Sequence, residues 1–212
     1  MRITAEVKRE TRERILAAAR KLFGTRGYAQ TSTRDLALEA SIATGTLFNY
    51  FPSKEALAMT LIEAGLIKGD EGYLERRRGG EDLGEDLFAH IAAGLRELES
   101  YRPFLGEVIE TALSPFSRSS VTQKGEDVRV RHLDRVARIL DKHGLRDALG
   151  FVSIHLYWTL YLGVLAFWSK DDSPAQADTL VVLDESLQLY VTSIERAEAE
   201  TVDSKAVDSE TM

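Results

Sequence analysis

Apolar residues at three- and four-residue spacing, combined with few prolines, constrain the fold of this chain more than any other feature of its sequence. Near the N-terminus the spacing marks one buried helical face, made by Ile15, Leu16, Ala19, Leu22 and Phe23. Only four prolines occur in 212 residues. No segment shows the strict alternation of β-branched and polar residues that a half-buried strand requires. The pattern predicts an all-α protein of about nine helices.

Helix-capping residues divide the first part of the chain into four predicted helices. The first spans about residues 6–24. The second is short and begins with a capping box, in which Ser32 caps the helix and Asp35 reaches back to the backbone. A third short helix is predicted at about 43–49, and a fourth at about 53–78.

The second part of the chain is also predicted to be helical. Its helices are expected at about 82–100, 103–113, 128–142, 147–170 and 175–198. Residues 114–127 are polar and contain turn-forming residues, which indicates a loop. Residues 199–212 are polar and lack aromatic side chains, which indicates a flexible tail.

The net charge of −7 conceals an uneven distribution along the chain. Residues 1–60 contain ten Lys and Arg against six Asp and Glu, a surplus of +4, whereas the remainder contains 17 against 28, a deficit of −11. A basic end on an acidic body suggests that the basic end meets a polyanion. A surplus of this size also arises by chance, so it supports a nucleic-acid partner only together with a motif.

Several function classes are excluded by residues that the chain lacks. Without cysteine it has no disulfides, thiolate metal sites, cysteine nucleophiles or thiol redox sensors. The four histidines are too scattered for a metal triad: His90, His132, His143 and His155. No Gly-rich phosphate loop, nucleophile elbow or HExxH zinc motif is present. We therefore predict no catalytic site, no metal and no cofactor.

The sequence also carries no recognisable signal for export or membrane insertion. Its first residues, MRITAEVKRETRERIL, are too charged for a signal peptide, and no apolar run is expected to reach transmembrane length. The most apolar region, 148–168, is interrupted by polar residues and glycine, and we predict a buried helix there. A cytoplasmic protein without a membrane partner is the expectation.

Residues 32–51 have the pattern of a helix-turn-helix, in which two short helices are joined by a tight turn and braced by the longer first helix. Six apolar residues can face the core of this motif: Leu36, Ala37, Ala40, Ile42, Leu47 and Phe51. The residues of the third helix that then face outward, fully or partly, are Thr44, Gly45, Thr46, Phe48 and Asn49. The third helix is thereby predicted to be the recognition helix.

Small residues at the start of this helix suit the major groove of DNA. They let the backbone approach the groove floor, and a threonine offers a hydroxyl to bases or phosphates and a methyl to thymine. Tyr50 can direct its hydroxyl at a phosphate. Lys54 can bind another with its cation and the backbone N–H groups of the fourth helix. For Phe48 a place in the core, and for Asn49 simple exposure, remain equally open.

Residues 9–69 resemble the DNA-binding domain of TetR-family transcriptional regulators. The resemblance is carried by RILAAA at 14–19, LF at 22–23, GY at 27–28, TSTRDLA at 31–37 and GTLFNYFPSKEAL at 45–57. Order and spacing match throughout. The resemblance implies phosphate contacts at Thr33, Tyr50 and Lys54, and groove contacts at Thr44 to Thr46 and at Asn49.

Two positions depart from the family pattern. Ser41 stands in the turn where the family usually has glycine, and we expect it to adopt a left-handed conformation at a cost of about 1 kcal/mol. Ala43 stands where serine or threonine usually begins the recognition helix, and its side chain cannot cap. Both changes affect which bases are read.

The resemblance further implies a domain division. A helix-turn-helix domain is expected over residues 1–52, a ligand-binding and dimerisation domain over 53–198, and a tail over 199–212. The helix at 147–170 is apolar nearly all round, so it needs two sets of neighbours, its own core and a twin subunit. With the last helix it would form a four-helix bundle across the dimer. The predicted interface residues are Leu156, Leu160, Gly163, Val164, Phe167, Leu183, Leu187 and Tyr190.

Aromatic residues in the second domain are candidates for an effector pocket, although any one of them can equally be core. The candidates are Tyr101, Phe104, Phe116, Tyr157, Trp158, Tyr161 and Trp168. As a group they favour a lipophilic or aromatic small molecule.

These features together predict a homodimeric repressor that a small ligand releases from double-stranded operator DNA. Ligand binding would move the fourth helix and change the separation of the two recognition helices. Two alternatives stay open. One is a helical homodimer that mediates interactions without regulated DNA binding, and the other is a helical enzyme.

Overall fold

The computed structural model of the protein describes residues 4–110, 123–148 and 150–210, which are helical without β-strands. The α-helices are α1 Ala5–Arg26, α2 Thr33–Glu39, α3 Thr44–Tyr50, α4 Lys54–Arg76, α5 Leu83–Leu98, α6 Arg102–Val108, α7 Gln123–Lys142, α8 Phe151–Trp168 and α9 Ala177–Glu210. Short 3₁₀ helices occur at Glu99–Tyr101, Arg146–Ala148 and Pro174–Gln176. The predicted all-α fold class is confirmed.

Two helix boundaries differ from the prediction. Helix α7 already begins at Gln123, so residues 123–127 of the predicted loop are helical, while residues 114–122 lie outside the described part. Its first turn consists of polar residues and a glycine, and such a turn resembles a loop in sequence. Helix α9 continues to Glu210 because no glycine or proline interrupts residues 177–210. The predicted tail is therefore helical over most of its length.

The chain divides into two compact units. The first comprises residues 1–68 and 94–129, and the second residues 69–93 and 130–212. The division falls inside α4, α5 and α7. Residues 53–68, which the predicted domain boundary assigned to the ligand-binding domain, thus belong to the same unit as the helix-turn-helix.

An aromatic cluster forms part of the core of the first unit. The ring of Phe23 on α1 lies 5.2 Å from the rings of both Tyr28 and Phe104, the latter on α6. Tyr101 contacts Phe104 edge-on at 5.9 Å and accepts a 3.4 Å hydrogen bond from the guanidinium of Arg20. Two of the predicted pocket residues, Tyr101 and Phe104, therefore brace α1 of the helix-turn-helix.

The second unit is built around the packing of α8 against α9. In the single chain one face of α8 is exposed, at Phe151, Val152, Leu156 and Phe167. The predicted burial of this face against a twin subunit stays a prediction. The opposite face is buried, with Tyr157, Trp158, Tyr161, Leu165 and Trp168 inside. Helix α9 likewise buries Leu183, Leu187 and Tyr190 and exposes Leu180, Val181 and Leu189.

Helix α8 also meets the length and hydropathy expected of a membrane span, contrary to the expectation that no apolar run would do so. Among the described residues it is the one helix that does, and 39% of this 18-residue stretch is buried inside the protein. A core helix of a soluble protein passes the same test, so the property is weak support for a membrane span.

Candidate nucleic-acid interface

The N-terminus of α2 is fixed by the predicted capping box. The backbone N–H of Asp35 donates to the Ser32 hydroxyl at 3.2 Å, and the backbone N–H of Ser32 donates to the Asp35 carboxylate at 2.9 Å. The hydrogen bonds that the Ser32 hydroxyl and backbone N–H donate to the carboxylate, helped by the charges of Arg26 and Arg34, hold the pKa of Asp35 below its usual range. Thr33, the first residue of α2, is half-buried directly beside this cap.

The turn between α2 and α3 is a Schellman motif. The Ile42 N–H donates to the Ala37 carbonyl at 2.9 Å, and the Ser41 N–H donates to the Leu38 carbonyl at 3.0 Å. This motif places one residue in the left-handed region, usually glycine. Here that residue is Ser41, with φ +55°. The expectation of a left-handed Ser41 is confirmed.

A Ser41→Gly variant is expected to be more stable than the natural protein by about 0.5–1 kcal/mol, because glycine adopts this conformation without Cβ strain. Equilibrium unfolding in urea measures the difference. Ala43→Gly is the matched control, since Ala43 has an ordinary φ of −71° and should gain nothing from glycine. Equal or lower stability of Ser41→Gly would show that this turn is not strained.

Helix α3 presents small and polar residues outward and is anchored by one leucine. Leu47 is fully buried, whereas Gly45, Phe48 and Asn49 are exposed. Thr44, Thr46 and Tyr50 are half-buried. The helix begins after Ala43, whose side chain makes no capping hydrogen bond, as expected. For Phe48, 47% of whose surface is exposed, the structure excludes a place in the core of the single chain.

Glycine at position 45 has no structural explanation within the chain. Beyond its own helical turn, a Cβ built at Gly45 would meet no atom of the described residues within 4 Å, and its backbone is helical without a positive φ. Glycine inside a helix costs about 0.5–1 kcal/mol relative to alanine. Because the fold does not need glycine here, its presence is consistent with an external partner that approaches the helix backbone closely.

The Lys54 side chain, predicted to bind a phosphate, has partners within the protein. Its ammonium donates to the Tyr28 carbonyl at 2.9 Å and to the Thr31 carbonyl at 3.2 Å, and it lies 4.2 Å from the centroid of the Tyr28 ring. Two of the three ammonium donors therefore have partners within the protein. The prediction that Lys54 binds a phosphate remains untested by these contacts.

Three of the predicted effector-pocket residues meet around a buried histidine in the second unit. The ring of His132 stacks on that of Tyr161 at 4.0 Å and lies 6.1 Å from Trp158. One ring nitrogen, His132 Nε2, is 2.9 Å from the hydroxyl of Tyr157. Of the other candidates, Trp168 is buried and Phe116 lies outside the described residues.

A second histidine joins this group, which no sequence motif indicated. The ring of His90 on α5 stacks on that of His132 at 5.1 Å, and its Nδ1 is 3.3 Å from the carboxylate of Asp70. Neither ring nitrogen of His90 makes a hydrogen bond to the described residues. Burial lowers the pKa of His90 to about 4, although the charge of Asp70 opposes the shift, and burial lowers the pKa of His132 as well.

A second group of hydrogen-bonded side chains, also without a sequence motif, surrounds Asp86. This carboxylate, fully buried on α5, accepts hydrogen bonds from Tyr73 at 2.5 Å and Lys142 at 2.7 Å, and His143 Nε2 lies 3.0 Å away. Burial raises the pKa of Asp86, but the bonds from Lys142, Tyr73 and His143 outweigh it and hold the pKa below its usual range. Burial, with the bond to Asp86, raises the pKa of Tyr73 to about 12.

The predicted dimer residues fall into two groups. Leu156, Leu160, Gly163 and Phe167 are exposed or half-buried on α8. The other four are buried within the chain and have almost no surface left for a partner: Val164, Leu183, Leu187 and Tyr190. This corrects the prediction for these four residues, because they are buried inside the single subunit.

Residues 15–59 match the family model for bacterial regulatory proteins of the tetR family. The uncharacterized HTH-type transcriptional regulator YfiR of Bacillus subtilis is 28% identical over 149 residues, which cover 66% of this chain and 69% of YfiR. Several other curated HTH-type regulators align over less than half of their own length. The residues matched by the family model include the whole helix-turn-helix.

Solved structures share the fold over most of the chain. FadR of Thermus thermophilus, a TetR-family transcriptional repressor crystallised with lauroyl-CoA, has a TM-score of 0.65 at 22% identity and covers 85% of this chain and 93% of its own. FadR of Bacillus subtilis, crystallised with stearoyl-CoA, has a TM-score of 0.58 at 20% identity, covering 84% and 97%. At 20–22% identity, this similarity shows a shared fold and nothing further.

Proposed function

The chain belongs to the TetR family of transcriptional regulators, and on this premise we propose that it is a homodimeric repressor released from its operator by a lipophilic small molecule. The observation that carries the DNA-binding part is the outward surface of α3. It combines a glycine that the fold does not require with flanking threonines and an exposed asparagine. Such a surface suits a helix whose backbone lies close to the bases.

Each residue has a proposed role at the DNA. Thr44, Gly45, Thr46 and Asn49 face the major groove. Thr33 and Tyr50 bind phosphates on either side of it, which fixes the position of the helix without reading sequence. The basic surplus of residues 1–60 lies in the same part of the chain and would speed association with the polyanion.

The dimer is supported by the apolar face that α8 and α9 leave exposed. Phe151, Val152 and Phe167 on α8 and Val181 and Leu189 on α9 are large apolar residues open to solvent in the single chain. Pairing two copies of this face would bury them in a four-helix bundle. Two recognition helices would then face successive turns of the DNA, roughly 34–36 Å apart.

The effector is proposed to be lipophilic because of the buried aromatic group around His132. Two neighbours in fold, from Thermus thermophilus and Bacillus subtilis, were crystallised with acyl-CoA thioesters. A long acyl chain is therefore the first class of ligand to test. The ligand must bind the DNA-released state more tightly, or it would shift nothing. A cytoplasmic location follows from the proposed role.

The test is binding of the purified protein to the DNA upstream of its own gene, measured by fluorescence anisotropy against a scrambled fragment. We expect preference for the upstream fragment, a steep loss of affinity with salt, and release on adding lauroyl-CoA or stearoyl-CoA. Equal binding to both fragments would contradict the operator proposal. Operator binding that neither thioester changes would contradict only the choice of effector class.

A Tyr50→Phe variant is expected to bind the operator about fivefold more weakly, because it loses one phosphate hydrogen bond worth about 1 kcal/mol. The preference for operator over scrambled DNA should persist, since a phosphate contact carries no sequence information. Thr192→Ala on the exposed face of α9 is the control. Unchanged affinity of Tyr50→Phe would remove Tyr50 from the proposed interface.

A further inference from the structure

We propose that Lys54 is a positioning residue for the helix-turn-helix. Its ammonium clamps the turn between α1 and α2 and thereby sets the start of α2, and it does not bind a phosphate. The inference rests on the proposed DNA binding. Lys54 is the first residue of α4, where a cation is unfavourable because the helix N-terminus is itself positive. Its partners in the structure explain why a lysine is nevertheless placed there.

The ammonium bridges two carbonyls of one turn. It donates to the oxygens of Tyr28 and Thr31 at 2.9 and 3.2 Å, while the Tyr28 ring lies against it at 4.2 Å. Carbonyl oxygens and an aromatic face are all electron-rich, so together they stabilise the positive charge at this helix end. Tyr28 itself is buried, which holds the ring in place.

The same turn is held at other points, so its geometry is specified closely. The Thr31 hydroxyl donates to the Gly27 carbonyl at 2.8 Å, and the Thr31 N–H donates to the Tyr28 carbonyl at 3.2 Å. From α6 the carboxylate of Glu107 accepts the N–H of Ala29 at 2.8 Å. Lys54 ties this turn to the start of α4 through two carbonyls, and its neighbour Glu55 also interacts with the Tyr28 side chain.

The turn leads directly into the DNA-facing end of α2. Thr31 precedes the cap Ser32, and Thr33, a proposed phosphate contact, follows it. An ammonium anchored on the Thr31 carbonyl therefore fixes the position of Thr33 relative to α4. Loss of the clamp should loosen residues 31–36 even when no DNA is present.

The experiment compares Lys54→Met with Lys68→Met, an exposed lysine fourteen positions further along α4. Amide hydrogen exchange of the DNA-free protein should be about tenfold faster or more at residues 31–36 in Lys54→Met, since two charge-assisted hydrogen bonds are lost. Lys68→Met should match the natural protein. Lys54→Gln, whose amide retains a donor, should exchange at a rate between those of Lys54→Met and the natural protein.

Operator binding supplies the second measurement. Lys54→Met should bind about tenfold more weakly, but the slope of log affinity against log salt should not change, because no phosphate contact is removed. A slope smaller by about 0.9 would overturn the proposal, since that loss signals one phosphate contact. Unchanged exchange at residues 31–36 would overturn it equally. Because exchange is measured without DNA, it tests the clamp even if the protein proves to bind no operator.

Discussion

Replacing Asp86 by alanine is expected to destabilise the protein by about 3–5 kcal/mol, the usual cost of removing one partner from a buried charge network. The variant leaves the buried Tyr73 hydroxyl without its acceptor and the partly buried Lys142 without its closest carboxylate. The three donors reach Asp86 from α4, from the end of α7 and from the residue that follows it. Urea unfolding at fixed protein concentration measures the loss.

The matched control is Asp134→Ala on α7. Asp134 also pairs with a cation, Arg138 at 2.8 Å, but both side chains are largely exposed. Exposed pairs contribute little, so the control should lose about 0.5 kcal/mol or less. A loss below about 1 kcal/mol for Asp86→Ala would mean that water replaces the network without difficulty and that its burial is not maintained in solution.

Acidification from pH 7.5 to pH 5 is expected to cost about 2 kcal/mol of stability through His90, with a further loss through His132. Burial lowers the pKa of His90 from 6.5 to about 4 in the folded protein. Between these values the unfolded chain binds a proton that the folded chain does not, so stability falls as the pH falls. The stability lost through His90 is small above pH 6.5 and grows progressively as the pH falls to about 4.

The comparison that isolates this effect is the double variant His90→Gln, His132→Gln, followed through the same pH range. Its stability should decline less steeply between pH 7 and pH 5.5, where most carboxylates remain ionised. His155→Gln on the exposed side of α8 is the control and should keep the steep decline. If stability falls equally steeply with pH in the double variant and in the natural protein, these two histidines are not held buried and uncharged in the folded state.

The fold class and the helix-turn-helix were predictable because their signals are local. A capping box needs residues three apart, and a helix face repeats within one or two turns. The left-handed Ser41 could be expected from a turn pattern read over a few positions. Helix ends were harder, as at Gln123 and Glu210, because a helical turn and a loop can use the same polar residues.

The buried groups of the second unit were not predictable because their members come from distant positions. His90 and His132 are 42 residues apart, and nothing in either local sequence indicates that their rings stack. Asp86 resembles a helix-start acid, a role that does not require burial. On α8, residues are apolar all round, so periodicity could not separate Val164, which packs inside the chain, from Phe167, which does not.

Gly45 has a consequence for how the specificity of this protein could change. Since a Cβ at this position would meet none of the described residues outside its own helical turn within 4 Å, side chains other than proline have room there, and most would raise helix propensity. A library randomised at position 45 should therefore consist mainly of folded proteins. Selection on variant operators would then act on the base contact alone, which makes this position a natural route to a new target sequence.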